Sequence, residues 1–446
     1  MRGFRFSAAA GRCVALAAGW LGLAATGGHA QGRNPLLDIL RADTARFGRV
    51  LRRPAAYRVQ ILYTQINRDR RGRPRFRTFR YGAPATQYFY PASTVKLPAA
   101  ALALEKVRAL RAQVPGLTAG APLRIDSAFA GQTRVLRDTS AASGRASVAQ
   151  YVRKVLLVSD NDAFNRLYEF IGQQELNQSL RRRGLPQSRI VHRLSVGDQE
   201  PGSRHTNPLA FFADTALTRP LYVQPAAYNA QPLPPLPATD FRIGRAYMQG
   251  GKAVDGQDNT VQVNAPLDLS SKNYLPLAEQ QQVLRVLLFP AAVPARQRFQ
   301  LAEPDYQFLY RYLSMLPRES RHPRYSAKEF PDTYAKFLLG GSGAAPLPPG
   351  VRVFNKIGQA YGFLIDNAYV ADFNTGAEFL LAAVIYVNSD EVLNDDKYDY
   401  DTVGFPFLRD LGRAVLDYEQ KRPRRHPADL SGFKIDYRPT AGDEAP

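Results

Sequence analysis

The spacing of apolar side chains predicts a helix and then a hairpin near the start of the chain. In residues 34–53 the apolar positions recur every three or four residues, as they do on one face of an α-helix. Residues 57–82 instead alternate apolar and polar positions around a polar turn marked by Gly and Pro. This second pattern is typical of two antiparallel strands.

A helical region is predicted from residue 91 to about residue 215. It contains an Ala- and Leu-rich helix and, further along, two amphipathic helices on either side of the sequence Ser-Asp-Asn. The first of these two helices begins with a capping box from Ser147 to Gln150, and the second ends at Gly172. The Ser-Asp-Asn sequence is therefore predicted to lie at a joint between two helices.

The pattern weakens between residues 216 and 350. Clustered prolines disfavour regular structure there, and only residues 278–288 and 306–316 have the spacing of short helices. We interpret residues 216–350 as an insertion rather than a separately folded domain. After it come three strand-like runs, with the sequences VRVFNKIG, FLIDNAYVADF and EFLLAAVIYV, and a closing helix at about 403–419.

These elements predict one α/β domain over residues 31–420. Its α/β part would comprise residues 34–90 and 351–420, and its helical part would comprise residues 91–215. A cleft between the two parts would be the natural place for a functional site. The basic tail, residues 421–446, is expected to be loosely ordered.

The first thirty residues have the layout of a secretory signal peptide. Basic residues precede an apolar run that is short for a membrane span, and small residues follow it. We expect the mature protein to start near Gln31 and to lie in the periplasm, with an uncleaved membrane anchor as the alternative. The only cysteine, Cys13, falls within this segment, so the mature chain is predicted to have no disulfide, thiol nucleophile or cysteine-ligated metal.

The chain is strongly basic. It has 59 Lys and Arg against 39 Asp and Glu, a formal net charge of +20. Such a surplus favours an anionic cell-envelope surface as a partner, although a solvated, arginine-rich surface without a specific partner has the same composition. Nucleic acid is not expected to bind, because the basic residues are scattered and no binding module is recognisable.

A candidate nucleophile and base occur together in the helix that follows the predicted hairpin. Ser93 and Lys96 are three residues apart, so they lie on the same helix face. The helix N-terminus can stabilise an oxyanion, and burial would lower the pKa of the lysine so that a neutral amine could take the serine proton. A second Ser-x-x-Lys match, Ser431 to Lys434, contains a glycine and lies in the basic tail, where nothing holds the two groups together.

Three ordered motifs resemble those of the penicillin-recognising serine enzymes, which include class A β-lactamases and penicillin-binding proteins. The motifs are Ser93-x-x-Lys96, Ser159-Asp160-Asn161 and Lys356-Ile357-Gly358. The surrounding sequences YPASTVK, LLVSDNDAFNRL and RHTNPLAFF are most similar to class A enzymes, in which the last segment precedes a helix. The resemblance implies a β-lactamase/transpeptidase-like α/β fold, with an antiparallel sheet flanked by helices, an all-helical subdomain and, here, a long insertion.

The resemblance also implies a role for each motif residue. Ser93 would be the nucleophile that forms an acyl-enzyme, Lys96 its proton acceptor, and Ser159 the relay of the proton to the leaving nitrogen. Asn161 would donate to the substrate amide. Lys356, on the edge strand, would hold a substrate carboxylate and keep Lys96 neutral.

The substrate would also contact the end of that edge strand. Gly358 and Gln359 are the implied substrate-binding residues there, with the backbone N–H groups of Ser93 and Gln359 forming the oxyanion hole. A rival for the second motif, Ser271-Lys272-Asn273, lies in the irregular insertion, and for this reason we prefer Ser159-Asp160-Asn161.

Two departures from the family pattern concern the reaction itself. Ile357 stands where the family usually has Thr or Ser, whose hydroxyl helps to bind the substrate carboxylate. No Glu-x-x-Leu-Asn segment precedes RHTNP, and in class A enzymes that glutamate serves the deacylating water. Asp198 and Glu200 are the nearest carboxylates; they either substitute for it or are loop residues without a catalytic part.

The sequence therefore predicts an exported serine hydrolase without a cofactor or metal, acting on a β-lactam or a related cell-wall amide. A D-alanyl-D-alanine carboxypeptidase, an esterase and a non-catalytic peptidoglycan-binding protein on the same fold are the alternatives. A zinc hydrolase is not expected, because the four histidines of the mature chain form no His-x-x-x-His pair. The small-molecule partner would be a β-lactam or a peptidoglycan stem peptide.

Overall fold

The fold is described from a computed structural model, which covers residues 34–82, 87–196, 201–251, 258–343 and 346–438. The predicted signal peptide, Asp198 and Glu200 lie outside these ranges. Within them, no helix combines the length and the apolar character that crossing a membrane requires.

A five-stranded antiparallel sheet forms the α/β part, in the order β10-β11-β12-β1-β2. The predicted hairpin therefore joins the three late strands, with β1 paired to β12. The strands are β1 (Gln60–Arg68), β2 (Pro74–Tyr81), β10 (Val351–Ala360), β11 (Phe363–Asp372) and β12 (Ala377–Tyr386). Since β10 and β2 are the two edges, the strand with the third motif is an edge strand, as predicted.

The described residues form ten α-helical segments. They are α1 (Pro35–Ala42), α2 (Thr44–Leu51), α3 (Lys96–Arg111), α4 (Val148–Leu157), α5 (Asn161–Ile171), α6 (Gln173–Arg182), α7 (Leu277–Leu288), α8 (Glu303–Ser314), the short turn α9 (Phe337–Gly340) and α10 (Phe405–Lys421). The remaining strands are short: β3 (Leu123–Ile125), β4 (Leu209–Phe212), β5 (Pro220–Gln224), β6 (Arg242–Ile243), β7 (Ala246–Gln249), β8 (Val261–Val263), β9 (Leu267–Asp268) and β13 (Val392–Leu393).

Strand alternation separates two large apolar cores, one on each face of the sheet. Along β10, Val353 and Ile357 face the core that contains α1, α2 and α10, whereas Phe354 faces the core of the helical part. Strands β11 and β12 are buried on both faces, which explains their nearly continuous apolar sequences. Removing each large side chain from water in this way stabilises the fold by roughly 1.5–3 kcal/mol.

Three predicted elements differ in the structure. The single helix expected at 34–53 is divided, because the Asp43 carboxylate accepts a hydrogen bond from the Arg46 N–H and starts a new helix. The region predicted as helical contains strands β3 and β4, so the apolar run at Leu209–Phe212 pairs in a small sheet rather than forming a helix. Strand β5 begins at Pro220, a position that a strand tolerates because it is an edge.

The region interpreted as an insertion contributes to the main core. Helix α7 packs on β1, β11 and β12, and α8 packs on β10 and α4. Their apolar residues, such as Leu284 and Leu309, are fully buried in the core of the helical part. Outside α7 and α8, residues 216–350 are rich in proline, as the sequence predicts, and their described part contains only short elements, among them β5 to β9 and α9.

The tail is not loosely ordered over its described part. The Phe433 ring is buried in the core and contacts the rings of Phe289, Tyr310, Phe354 and Tyr369. The expectation of a loose tail was wrong there, because one aromatic side chain inserts between sheet and helices and anchors the segment.

Candidate active site

Ser93 lies in a tight turn that leads directly into a buried helix. The turn is a 3-10 helix over Ala92–Val95, and α3 begins at Lys96. Ala92 has φ = +47°, an unfavourable conformation for a residue with a side chain, and it immediately precedes the serine. The small alanines of α3 allow it to pack closely against α4 and α5, so the lysine at its first position is fully buried.

The Lys96 amine contacts Ser93 of the first motif and Ser159 and Asn161 of the second motif. Lys96 Nζ donates to Ser93 Oγ at 2.8 Å, to Asn161 Oδ1 at 2.6 Å and to the Ser159 carbonyl oxygen at 2.5 Å. Burial lowers the pKa of Lys96 to about 7, and the nearby Asp160 opposes this shift only in part. A substantial share of the amine is therefore neutral near pH 7 and able to accept the Ser93 proton.

The second motif lies at the joint between α4 and α5, as predicted. Ser159 has φ = +61°, and the Asp160 carboxylate caps α5 by accepting a hydrogen bond from the Ala163 N–H at 2.8 Å. This sharp change of direction brings both the carbonyl and the hydroxyl of Ser159 towards Lys96. Asn161, the first residue of α5, also donates from Nδ2 to Ser195 Oγ at 2.8 Å.

The third motif completes the cluster from the sheet. Lys356 Nζ donates to Ser159 Oγ at 2.7 Å and to the Ile357 carbonyl oxygen at 3.0 Å. The pKa of Lys356 is held well below its usual range, first by burial and then by the positive charge of Lys96, while Asp366 acts in the opposite direction. Two buried amines thus share one serine hydroxyl.

Gly358 allows the edge strand to reach the serine turn. A side-chain Cβ at this position would lie 2.8 Å from the Pro91 carbonyl oxygen, closer than atoms can approach. Because the glycine has no Cβ, the strand end places Gln359 in the same cleft as Ser93 and Asn161. The seven residues that the resemblance implies therefore lie together: Ser93, Lys96, Ser159, Asn161, Lys356, Gly358 and Gln359.

Ile357 has a structural explanation. Its side chain is buried in the core that contains α10, on the face of β10 opposite to Lys356. A hydroxyl at this position would therefore lie in an apolar core unless the strand changed its local geometry.

A buried polar network behind β10 was missed by sequence reasoning. Lys336 Nζ donates to Asn355 Oδ1 at 2.6 Å, and Asn355 Nδ2 donates to Asp366 Oδ1 at 2.7 Å. Burial raises the pKa of Asp366 to about 6 and lowers that of Lys336 to about 7. The sequence signal was a polar residue on the core-facing side of two strands, Asn355 next to Lys356 and Asp366 in FLIDNAYV.

The two rival motifs have other positions. Ser431 and Lys434 are both exposed on the surface, on either side of the buried Phe433. In the other rival, Asn273 is fully buried and accepts a hydrogen bond from the Val191 N–H at 2.8 Å, whereas Ser271 and Lys272 line the cleft. No group of His, Cys, Asp and Glu residues suited to a metal occurs in the described ranges.

The cleft that contains Ser93 has a volume of about 990 Å³. Ser93, Asn161 and Gln359 lie in it together with one side of α6 and a proline-rich segment, Asn229–Pro235. Its volume is at the upper end of the range of about 300–1,000 Å³ that is usual for small-molecule sites. The site can therefore accept a substrate larger than the reacting group alone.

Residues 55–216 match the model of the Beta-lactamase enzyme family. This match contains the first two motifs and confirms the resemblance over a little more than a third of the chain. The third motif lies outside the matched range. A search of curated proteins finds no match.

Solved structures that are similar to this chain include β-lactamases and PBP-A. A β-lactamase from Sphaerobacter thermophilus is 14% identical, with 87% of this chain and 98% of that chain covered and a TM-score of 0.42. A β-lactamase from Desulfarculus baarsii is 17% identical, with 86% and 97% covered and a TM-score of 0.43. An acyl-enzyme complex of PBP-A with penicillin G is 14% identical, with 87% and 97% covered and a TM-score of 0.43.

Proposed function

We propose that this protein is a serine hydrolase that opens a β-lactam or a related cell-wall amide through an acyl-Ser93 intermediate. The observation that carries the proposal is the 2.8 Å contact between Ser93 Oγ and the buried Lys96 amine. A hydroxyl is a weak nucleophile until a base within hydrogen-bond distance removes its proton, and Lys96 meets both requirements.

In the acylation step, Ser93 Oγ bonds to the carbonyl carbon and its proton passes to the neutral Lys96 amine. The carbon–nitrogen bond then breaks, and the leaving nitrogen takes a proton through Ser159, whose hydroxyl lies between Lys96 and Lys356. The backbone N–H groups of Ser93 and Gln359 would hold the oxyanion. Asn161 would donate to the substrate amide, and Lys356 would attract a substrate carboxylate.

Deacylation is the slower half of the proposed cycle. Water must attack the ester with the help of a base, and the chain lacks the Glu-x-x-Leu-Asn segment whose glutamate serves this water in class A enzymes. We therefore expect a long-lived acyl-enzyme with penicillins. This behaviour suits a penicillin-binding protein or a D-alanyl-D-alanine carboxypeptidase better than a fast β-lactamase.

Export is part of the same proposal, since peptidoglycan lies outside the cytoplasm. It is supported by the signal-like first thirty residues, and N-terminal sequencing of the secreted protein would test it. An anionic envelope surface would be a second partner for the basic chain.

Intact mass spectrometry after incubation with a fluorescent penicillin tests the proposed reaction. We expect one adduct on the parent protein and on Ser431→Ala, which changes the exposed rival serine, and none on Ser93→Ala. A persistent adduct would favour the penicillin-binding reading, and rapid loss of the adduct would favour a β-lactamase. Equal labelling of Ser93→Ala and the parent would contradict the proposal.

A further inference from the structure

We infer that the cleft contains a second, cationic subsite that binds an acidic group of the substrate distinct from the carboxylate expected at Lys356. The subsite lies between α6, Lys272 and the proline-rich segment Asn229–Pro235, which we call the strap. This inference rests on the proposed function and deepens it, since it specifies the class of substrate.

One side of α6 forms the wall of this subsite. The side chains that line the cleft are Gln173, Gln174, Asn177, Gln178 and Arg181. Their spacing of three to four residues places them along one helix face. At 1.5 Å per residue, the wall extends about 12 Å from Gln173 to Arg181. The amides of Gln173 and Asn177 are hydrogen-bonded within the protein, so the wall offers a ligand mainly the exposed Gln178 amide and the Arg181 guanidinium at its end.

The charges at the end of α6 are arranged unequally. Arg182 and Arg183 lie away from the cleft, and each has a carboxylate partner, Glu175 at 2.5 Å and Glu105 at 2.5 Å respectively. Arg181 and Lys272, which both line the cleft, make no ion pair with any described residue. Arg193, another cation of the cleft lining, is paired with Glu169 at 2.8 Å. Arg181 and Lys272 are thus the arginine and lysine of the cleft lining that have no acidic partner among the described residues.

The strap closes the subsite on its outer side. Arg204 Nε donates to the Asn229 carbonyl oxygen at 2.8 Å, and Gln174 Nε2 donates to Asn229 Oδ1 at 3.3 Å. At the other end, the buried Arg189 donates to the carbonyl oxygens of Leu233 and Pro234. Since prolines also restrict the backbone, the strap is a stiff wall rather than a loose loop.

The buried Arg189 adds positive charge beneath this wall. Arg189 is 8% exposed, and its guanidinium has carbonyl partners and lies close enough to Arg181 for the two charges to repel. An acidic group between Arg181 and Lys272 would relieve this repulsion. Arginine and amide side chains suit a carboxylate, because they can donate several hydrogen bonds to its two oxygens.

A matched pair of penicillins tests the subsite. 6-Aminopenicillanic acid acylated with suberic acid has a free carboxylate at the end of its side chain, and the methyl ester of the same compound does not. We expect the parent protein to acylate about tenfold faster with the acid than with the ester, per unit concentration, at low ionic strength. Screening by 0.5 M salt should reduce this preference.

Charge removal should abolish the preference without changing the reaction itself. In Arg181→Gln/Lys272→Gln, the acid and the ester should acylate at rates within about twofold of each other, and the ester should react as it does with the parent. Arg182→Gln is the matched control, since it removes a neighbouring cation that lies outside the cleft, and it should keep the preference. An equal rate for acid and ester in the parent, or an undiminished preference in the double variant, would overturn the inference.

Failure of the proposed reaction would give a different result. In that case neither penicillin would form an adduct on Ser93, and a binding measurement alone would show whether the subsite exists. Titration calorimetry of the two compounds on Ser93→Ala should then show tighter binding of the acid, lost in the variant that also has Arg181→Gln and Lys272→Gln. Equal binding of acid and ester to Ser93→Ala would overturn the inference independently of catalysis.

Discussion

Lys356 Nζ lies 2.7 Å from Ser159 Oγ, although the two residues are 197 positions apart in the sequence. This hydrogen bond joins the edge strand of the sheet to the joint between α4 and α5. Because Lys96 also reaches Ser159, through both its carbonyl and its hydroxyl oxygen, one serine connects the sheet, the helical part and the candidate base.

The first prediction concerns this shared serine. Ser159→Ala and Lys356→Met should each slow acylation of Ser93 by a fluorescent penicillin about 10²–10³-fold, because each removes a donor that acts on the developing charges. The double variant should be hardly slower than either single variant, since the two groups act as one unit. Stopped-flow fluorescence measures these rates.

Lys434→Met, which changes an exposed lysine of the tail, should acylate at the parental rate in the same experiment. If the rate losses caused by Ser159→Ala and Lys356→Met instead multiplied in the double variant, the hydrogen bond between Ser159 and Lys356 would have no role in acylation.

The second prediction concerns the stability effect of burying Lys96. Its pKa is about 7 in the folded protein and 10.5 in an ordinary environment, so between these values the unfolded chain binds the additional proton. The free energy of unfolding of the parent should therefore rise with pH in this window, by roughly 2–3 kcal/mol between pH 7 and pH 9 for this group.

Lys96→Met lacks this group, so its free energy of unfolding should rise less with pH than that of the parent; the rise that remains comes from other buried lysines such as Lys336. We therefore expect urea unfolding to show that the free energy of unfolding of the variant, minus that of the parent, is larger at pH 7 than at pH 9. The exposed substitution Lys434→Met serves as the control, with the same difference from the parent at both pH values. A constant difference for Lys96→Met would mean that the lysine is not held neutral by burial.

A third prediction concerns the described part of the tail. Phe433→Ala should lower the free energy of unfolding by roughly 3–5 kcal/mol, because it removes a ring from the aromatic cluster with Tyr369 and Phe354. The exposed Val261→Ala should change it by less than about 0.5 kcal/mol. Similar unfolding midpoints for Phe433→Ala and the parent would show that the tail is not part of the folded core.

Local patterns predicted much of the fold. The three late strands were predictable because each is an apolar run between Gly and polar turns. Helices α4, α5 and α7 were predictable because each has helical apolar spacing and, for α4, a cap at Ser147 whose hydroxyl accepts a hydrogen bond from the Gln150 N–H. The prediction of a helical region was wrong at Leu209–Phe212, since four consecutive apolar residues fit a strand and a helix equally well. The burial of Phe433 could not be predicted, because a single aromatic residue forms no periodic pattern and only its distant partners determine where it lies.

The candidate site was predictable to a similar extent. The motif residues could be named because their types and their order along the chain resemble a known family. The network of Lys336, Asn355 and Asp366 could not, since it joins three segments whose packing no local pattern specifies. The same is true of the cationic wall at Arg181, which depends on which side of α6 faces the cleft.

The pH dependence of acylation tests the central claim, that the buried Lys96 amine is the base for Ser93. The rate constant for adduct formation with a fluorescent penicillin, measured from pH 5 to pH 10, should rise with pH, bend near pH 7 and then remain level, since the pKa of Lys96 is about 7. A rate constant that stays unchanged over this range, or that still rises steeply above pH 9, would contradict the claim.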